Sequence, residues 1–275
     1  MTQILTVSAL GKTYGRDQNA HVALADIEFE VRRGEFVSVV GPSGCGKTTL
    51  LKCISGLLKP SSGRVELHGQ PVLEPPTGMA LVFQDYNRSL YPWLTVEKNV
   101  ALPLEARGLD SRTRRQRVHE ALDAVGLEHT KRRRPYQLSG GMQQRVAIAR
   151  ALAYRPEILL MDEPFASIDA QTRAELEDLT LRTRDQFGIT VLFVTHDIDE
   201  AVYLADRIVV LTPPPAGVKE IVTCDLPRPR DQIQTKELAQ FASLRGYVYR
   251  AVTKSRETPE GSGPSEQLHV EAGVE

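Results

Sequence analysis

The sequence reads Gly41-Pro42-Ser43-Gly44-Cys45-Gly46-Lys47-Thr48-Thr49 directly after the apolar run Phe36-Val37-Ser38-Val39-Val40, and this stretch decides the fold. The apolar run is typical of a buried parallel strand. A helix is predicted from about Lys47 to Ser55, with Gly56 just past its end. In such a strand–turn–helix the glycines let successive N–H groups point inward at an anion, and the helix N-terminus adds partial positive charge. The stretch therefore predicts a loop that holds the phosphates of a nucleotide.

Two side chains of this loop are predicted to bind the nucleotide and its metal ion. Lys47 is predicted to place its ammonium on the β- and γ-phosphates, and Thr48 to offer a hydroxyl ligand to Mg²⁺. The pattern G-x-x-x-x-G-K-[ST] arises by chance in roughly one chain in a hundred of this length. Cys45 is interpreted as a small filler residue without redox function. The predicted nucleotide-binding residues of the loop are Gly41, Pro42, Ser43, Gly44, Cys45, Gly46, Lys47, Thr48 and Thr49.

The order of predicted elements indicates an α/β protein. Strands are predicted at 4–9, 22–31, 64–68, 79–83, 158–161, 190–194 and 207–211, and helices at 170–186 and about 197–205. Alternating strands and helices favour a mainly parallel sheet covered by helices. From about 95 to 154 the apolar spacing becomes helical, which predicts an inserted helical subdomain over about 86–154. The β-rich first part predicts a separate antiparallel β subdomain at the N-terminus.

Bulk composition sets limits on the class of protein. The chain has 275 residues, a net charge of −1, 41% hydrophobic residues and three cysteines without C-x-x-C spacing. These values favour an ordinary globular protein without a disulfide framework or a zinc site. We see no signal peptide and no apolar run near the 18–20 residues that span a bilayer. We expect one domain over residues 1–253 and a disordered tail over 254–275, which is rich in Glu, Ser, Gly and Pro.

Acidic residues follow a second predicted buried strand. Asp162 and Glu163 come directly after Ile158-Leu159-Leu160-Met161, and His196 follows the predicted strand at 190–194. The carboxyl ends of parallel strands meet at the edge of the sheet where ligands bind. Asp162 is therefore a candidate Mg²⁺ ligand. Glu163 is a candidate base for the attacking water, and a solvated acidic pair is the simpler alternative.

A further motif, Leu138-Ser139-Gly140-Gly141-Met142-Gln143, is specific to few protein families. Ser139 is a good N-cap, and the two glycines leave the start of its helix open to a second anion. The chain resembles the ATP-binding cassette (ABC) ATPases over about residues 4–225. The resemblance comprises, in the order of that family, the phosphate loop, Gln84, this motif, the Asp162-Glu163 pair, Ser167-Ile168-Asp169 and His196. The sequence departs from the family at two positions. Met142 stands where the family usually has Gln, and Ile168 stands where the family often has a small residue such as Ala.

The resemblance implies a P-loop NTPase (RecA-like) fold, the cofactors ATP and Mg²⁺, and ATP hydrolysis. It also implies a head-to-tail pair, in which each ATP lies between the phosphate loop of one copy and Ser139, Gly140 and Gly141 of the other. By the same resemblance, Tyr14 stacks on adenine and Asp169 reaches across the interface. Gln84 contacts Mg²⁺ or the attacking water, and His196 contacts the γ-phosphate.

A segment after Gln84 suggests which kind of cassette this is. It reads Asp85-Tyr86-Asn87-Arg88-Ser89-Leu90-Tyr91-Pro92-Trp93-Leu94-Thr95-Val96 and carries the only Trp. Its aromatics are either core residues of the helical subdomain or anchors in a groove for a membrane permease. This segment resembles the nitrate/sulfonate/taurine branch of the importers. That branch implies a permease partner, a solute-binding protein acting indirectly, and a peripheral location on the cytoplasmic face of the inner membrane.

Two other functions are compatible with the sequence. A soluble cassette protein of translation or DNA repair is the main alternative, although such proteins usually carry two cassettes or a long coiled-coil insertion. A metabolic kinase would leave Ser139-Gly140-Gly141 unexplained. The basic residues at 112–117 and 131–134 are interpreted as a solvated face near anionic lipid, and no nucleic-acid partner is expected. The sequence does not name the transported solute.

Overall fold

The computed structural model describes residues 2–15, 17–85 and 89–253. The strands are β1 (Gln3–Tyr14), β2 (His21–Arg32), β3 (Phe36–Val40), β4 (Ser62–Leu67), β5 (Gln70–Pro71), β6 (Met79–Val82), β7 (Ile158–Asp162), β8 (Thr190–Val194), β9 (Arg207–Leu211) and β10 (Val218–Thr223). The helices are α1 (Lys47–Ile54), α2 (Val96–Ala106), α3 (Ser111–Ala124), α4 (Gly140–Ala153), α5 (Ala170–Phe187), α6 (Ile198–Leu204), α7 (Gln234–Glu237) and α8 (Ala239–Thr253).

Two sheets form the framework. The central sheet has the order β10-β9-β3-β8-β7-β6 and is parallel except for β10, which pairs antiparallel with β9. Every residue of β3, β7 and β8 is buried, as expected for strands covered on both faces. The second sheet, β2-β1-β4-β5, is antiparallel and comes from the N-terminal part of the chain. The predicted α/β class and the antiparallel subdomain are both confirmed.

Helices α2, α3 and α4 form the insertion that joins β6 to β7. Each begins at a residue whose side chain accepts a hydrogen bond from a free backbone N–H of the first turn: Thr95, Asp110 and Ser139. The apolar faces of these helices share one core cluster with residues such as Phe36 and Phe193 of the central sheet. Side chains of the opposite face, such as Val37 and Leu192, pack with α1 and the antiparallel sheet.

Some elements differ from the sequence predictions. Strands β1 and β2 extend beyond the predicted 4–9 and 22–31, and Asp17–Asn19 between them form a 3-10 helix. Strand β10 and helices α7 and α8 were not predicted. β10 lies at the sheet edge, and α8 buries only Phe241, Val248 and Ala251, so each gives a weak apolar pattern. The tail predicted at 254–275 lies outside the described residues, as do Tyr86, Asn87 and Arg88.

Candidate functional site

The phosphate loop joins β3 to α1, as predicted. Gly44 and Gly46 have φ angles of 76° and 104°, which residues other than glycine rarely adopt. The buried ammonium of Lys47 donates to the carbonyl oxygens of Gly41 at 3.0 Å and Pro42 at 3.2 Å, which holds the charge inside the curve of the loop. Burial raises the pKa of the Cys45 thiol, and Cys45 is free, which agrees with its interpretation as a filler.

Thr48 and Asp162 meet beside this loop. Asp162 is the last residue of β7, and its Oδ1 accepts a hydrogen bond of 3.2 Å from the Thr48 hydroxyl. Burial, and to a lesser degree the charge of Glu163, raises the pKa of Asp162. Hydroxyl and carboxylate oxygens are the ligands Mg²⁺ prefers, and a divalent cation would offset the cost of this buried carboxylate. The two residues therefore fit the predicted metal.

Glu163 is the point where the other predicted residues converge. Its Oε2 lies 2.9 Å from Nδ1 of His196 and accepts a 3.4 Å hydrogen bond from Nε2 of Gln84. Its Oε1 lies 4.0 Å from Nζ of Lys47. The backbone of Glu163 has a φ of 41°, and its N–H donates to Val194 of β8 at 2.9 Å. A left-handed glutamate stores strain of about 1–3 kcal/mol, which is typical of a functional position.

The second predicted anion site begins at Ser139, the N-cap of α4. The Ser139 hydroxyl accepts from the N–H of Met142 at 3.3 Å, and Met142 is partly buried against the core of the helical insertion. Gly141 approaches α5 so closely that an added Cβ would lie 2.4 Å from Cγ2 of Thr172. Asp169 caps α5 by accepting from the N–H of Thr172 at 3.0 Å. Gly141 and Asp169 therefore meet the same residue, Thr172, which sequence reasoning did not select.

Tyr14 lies at the end of β1, and the residue is 41% exposed. Its hydroxyl is 3.2 Å from the Thr49 hydroxyl of α1, and the Lys12 ammonium lies 5.4 Å from the ring centroid. Tyr14 is thus tied to the phosphate loop and remains partly exposed, and stacking on adenine remains a prediction. Arg173 of α5 also contacts Ile168, beside Asp169, and Asp197, beside His196. It went unnoticed because a lone arginine on a helix has no distinctive pattern.

Comparison with known proteins agrees with this geometry. The sequence matches the ABC transporter family over residues 24–166. It is 45% identical over 256 residues to the nitrate import ATP-binding protein NrtD of Synechococcus elongatus, covering 90% of this chain and 93% of NrtD. It is 43% identical over 247 residues to the bicarbonate transport ATP-binding protein CmpD of the same organism, covering 89% and 88%. It spans only 38% of the longer bicarbonate transport protein CmpC of Synechocystis, at 45% identity.

A solved structure shows the same fold. The ATP-binding cassette MJ0796, a dimer in a post-hydrolysis state bound to ADP and Pi, superimposes with a TM-score of 0.71 at 35% identity, covering 80% of this chain and 99% of that one. The chain belongs to the ABC transporter family. It is an ATPase subunit that energises an importer, and the alternative of a translation or DNA-repair ATPase is wrong. Within the described ranges 2–15, 17–85 and 89–253, no helix is both long and apolar enough to cross a bilayer.

Proposed function

We propose that two copies of this chain close head to tail around two ATP molecules, and that hydrolysis drives a separate permease to import a small oxyanion. One observation carries this proposal: Gln84 and His196 both contact Glu163, beside Lys47 and the Thr48–Asp162 pair. The relatives named above are ATP-binding proteins of nitrate import and bicarbonate transport, which supports a small oxyanion as the transported solute. Nitrate and bicarbonate are both planar oxyanions, so either fits this class.

In this proposal each side chain has a role set by its position. Lys47 and the N–H groups of the loop bind the phosphates, and Glu163 orients the attacking water and accepts its proton. His196 contacts the Glu163 carboxylate and the γ-phosphate. Gln84 couples the nucleotide bound at the site to the position of the helical insertion. Thr48 and Asp162 would hold Mg²⁺, with Gln84 near it. Mg²⁺ held by these residues would supply positive charge to offset that of the phosphates.

The second half of each site would come from the other copy. Ser139, Gly140 and Gly141 at the N-terminus of α4 would supply this second anion site. One chain carries two phosphate-binding helix starts, and a pair of chains uses both of them twice. Asp169 would reach the partner from the same interface. The solved cassette MJ0796 is dimeric, which supports this arrangement.

The exposed aromatics support a permease partner. Trp93 is 67% exposed and packs edge-on against Tyr91, with ring centroids 5.3 Å apart. A cavity of about 200 Å³, lined by Pro103, Arg150 and Tyr154 among others, opens between β6 and the helices of the insertion. An exposed aromatic pair can anchor a helix of a partner protein, and a cavity between elements can receive one. This contact would keep the chain on the cytoplasmic face of the membrane, with a solute-binding protein acting on the far side of the permease.

Steady-state hydrolysis of Mg-ATP by Glu163→Gln tests the proposed chemistry. We expect the turnover number to fall by about 10²–10⁴-fold, the usual contribution of a general base, while ATP still binds. Glu157→Gln is the matched control, because Glu157 stands directly before β7 and Glu163 directly after it. The proposal fails if Glu163→Gln turns ATP over as fast as the control does.

A further inference from the structure

Arg173 connects two loops that are far apart in the sequence. The Asp169 loop (residues 163–169) joins β7 to α5, and the His196 loop (residues 195–197) joins β8 to α6. From α5, Arg173 donates through Nη2 to the carbonyl oxygen of Ile168 at 3.1 Å and through Nη1 to Oδ2 of Asp197 at 3.1 Å. One guanidinium thus holds a backbone atom of the first loop and a carboxylate of the second.

The contacts of Arg173 continue to both sides of His196. Asp197 follows the histidine and caps α6 by accepting from two backbone N–H groups. Thr195 precedes it and donates to Oε2 of the buried Glu200 at 2.6 Å, and the other oxygen of Glu200 lies 3.6 Å from Nε of Arg173. The N–H of Asp197 also donates to the Thr195 hydroxyl at 3.0 Å. His196 is therefore fixed through each of its neighbours, while its own ring reaches Glu163.

We propose that Arg173 is a positioning residue that fixes His196 against Glu163 and couples this contact to the Asp169 loop. The inference rests on the proposed function, because it presupposes that His196 and Glu163 act on the nucleotide and that the Asp169 loop reaches the second copy. A displacement of that loop by the partner would then be transmitted through Ile168 and Arg173 to Asp197 and His196. ATP would be hydrolysed only when the pair has closed.

The shape of the guanidinium explains why arginine stands at this position. It donates to two acceptors, Ile168 and Asp197, and lies within ion-pair distance of the Glu200 carboxylate, and a planar group with donors in fixed directions can serve all three. The buried Nε atom makes no hydrogen bond, so the two Nη hydrogen bonds and the ion pair with Glu200 set the place of the guanidinium. A lysine keeps the charge, but its compact ammonium cannot reach Ile168, Asp197 and Glu200 at once.

The test is a double-mutant cycle on ATP turnover with Arg173→Ala and His196→Ala. If Arg173 acts through His196, Arg173→Ala lowers the turnover number about tenfold with little change in KM, and the double variant is no slower than His196→Ala. Arg173→Lys should recover only part of the loss. Arg207→Ala is the matched control, because Arg207 also binds three acceptors, two on Glu35 and one on Glu30, but at the opposite ends of the strands.

Each outcome decides something different. If His196→Ala is slow and Arg173→Ala turns over like the wild type, or if the two losses multiply, the positioning role is wrong and the proposed function stands. If His196→Ala itself keeps wild-type turnover, the role of His196 is wrong, and the role of Arg173 falls with it. If Arg173→Ala and Arg207→Ala lower both turnover and the melting temperature equally, Arg173 has only a structural role.

Discussion

Replacement of Gly141 by alanine tests how closely α4 is packed against α5. The added methyl group would lie 2.4 Å from Cγ2 of Thr172, well inside contact distance, whereas the next atoms are Cβ at 3.7 Å and Oγ1 at 4.0 Å. Overpacking of this kind costs about 1–3 kcal/mol, and alanine in a helix returns up to about 1 kcal/mol. We therefore expect Gly141→Ala to lower the free energy of unfolding by roughly 1–2 kcal/mol.

The Thr172→Ser background should reverse this sign, because serine lacks the Cγ2 atom that the new methyl group meets. Gly141→Ala would then be neutral or stabilising by up to about 1 kcal/mol. Thermal unfolding measures the effect, and a loss of 1–2 kcal/mol corresponds to roughly 2–8 °C for a domain of this size. Thr172→Ser alone is the control. An equal loss from Gly141→Ala in both backgrounds would refute the packing argument.

Three further predictions follow from single groups. Burial raises the pKa of Glu200 from 4.5 to about 7, so the folded state binds a proton that the unfolded state releases over this range. The free energy of unfolding should therefore fall as the pH rises from about 4.5 to 7. Glu200→Gln should reduce this pH dependence, as measured by urea unfolding at several pH values. Tyr14→Ala should raise KM for ATP roughly tenfold whereas Tyr14→Phe should not, because stacking needs only the ring. Thr48→Ala should raise the Mg²⁺ concentration needed for half-maximal hydrolysis, and Thr48→Ser should leave it unchanged.

The sequence predicted the parts of the site where one strand is followed directly by a functional residue. β3 leads into the phosphate loop, β7 ends at Asp162, and β8 precedes His196, so the parallel sheet alone brings Lys47, Glu163 and His196 to one edge. Buried parallel strands are uniformly apolar and short, which makes their ends visible in the sequence. Local pattern and sheet topology together were sufficient there.

Contacts that depend on how separate elements pack were not visible in the sequence. The approach of Gly141 to Thr172 is set by the angle between α4 and α5, and the contacts of Arg173 need two loops folded around one helix. Neither leaves a periodic pattern. The left-handed backbone of Glu163 is likewise imposed by its neighbours, since glutamate has no preference for a φ of 41°.

The central claim is that two copies of this chain complete each other's sites around ATP. Light scattering of Glu163→Gln with saturating Mg-ATP tests it most directly, because the variant should retain the nucleotide that joins the copies. The account predicts a mass of twice 30.5 kDa with Mg-ATP, and a single-chain mass with Mg-ADP or when Ser139→Arg is added. A monomeric Glu163→Gln chain at saturating Mg-ATP would contradict the claim.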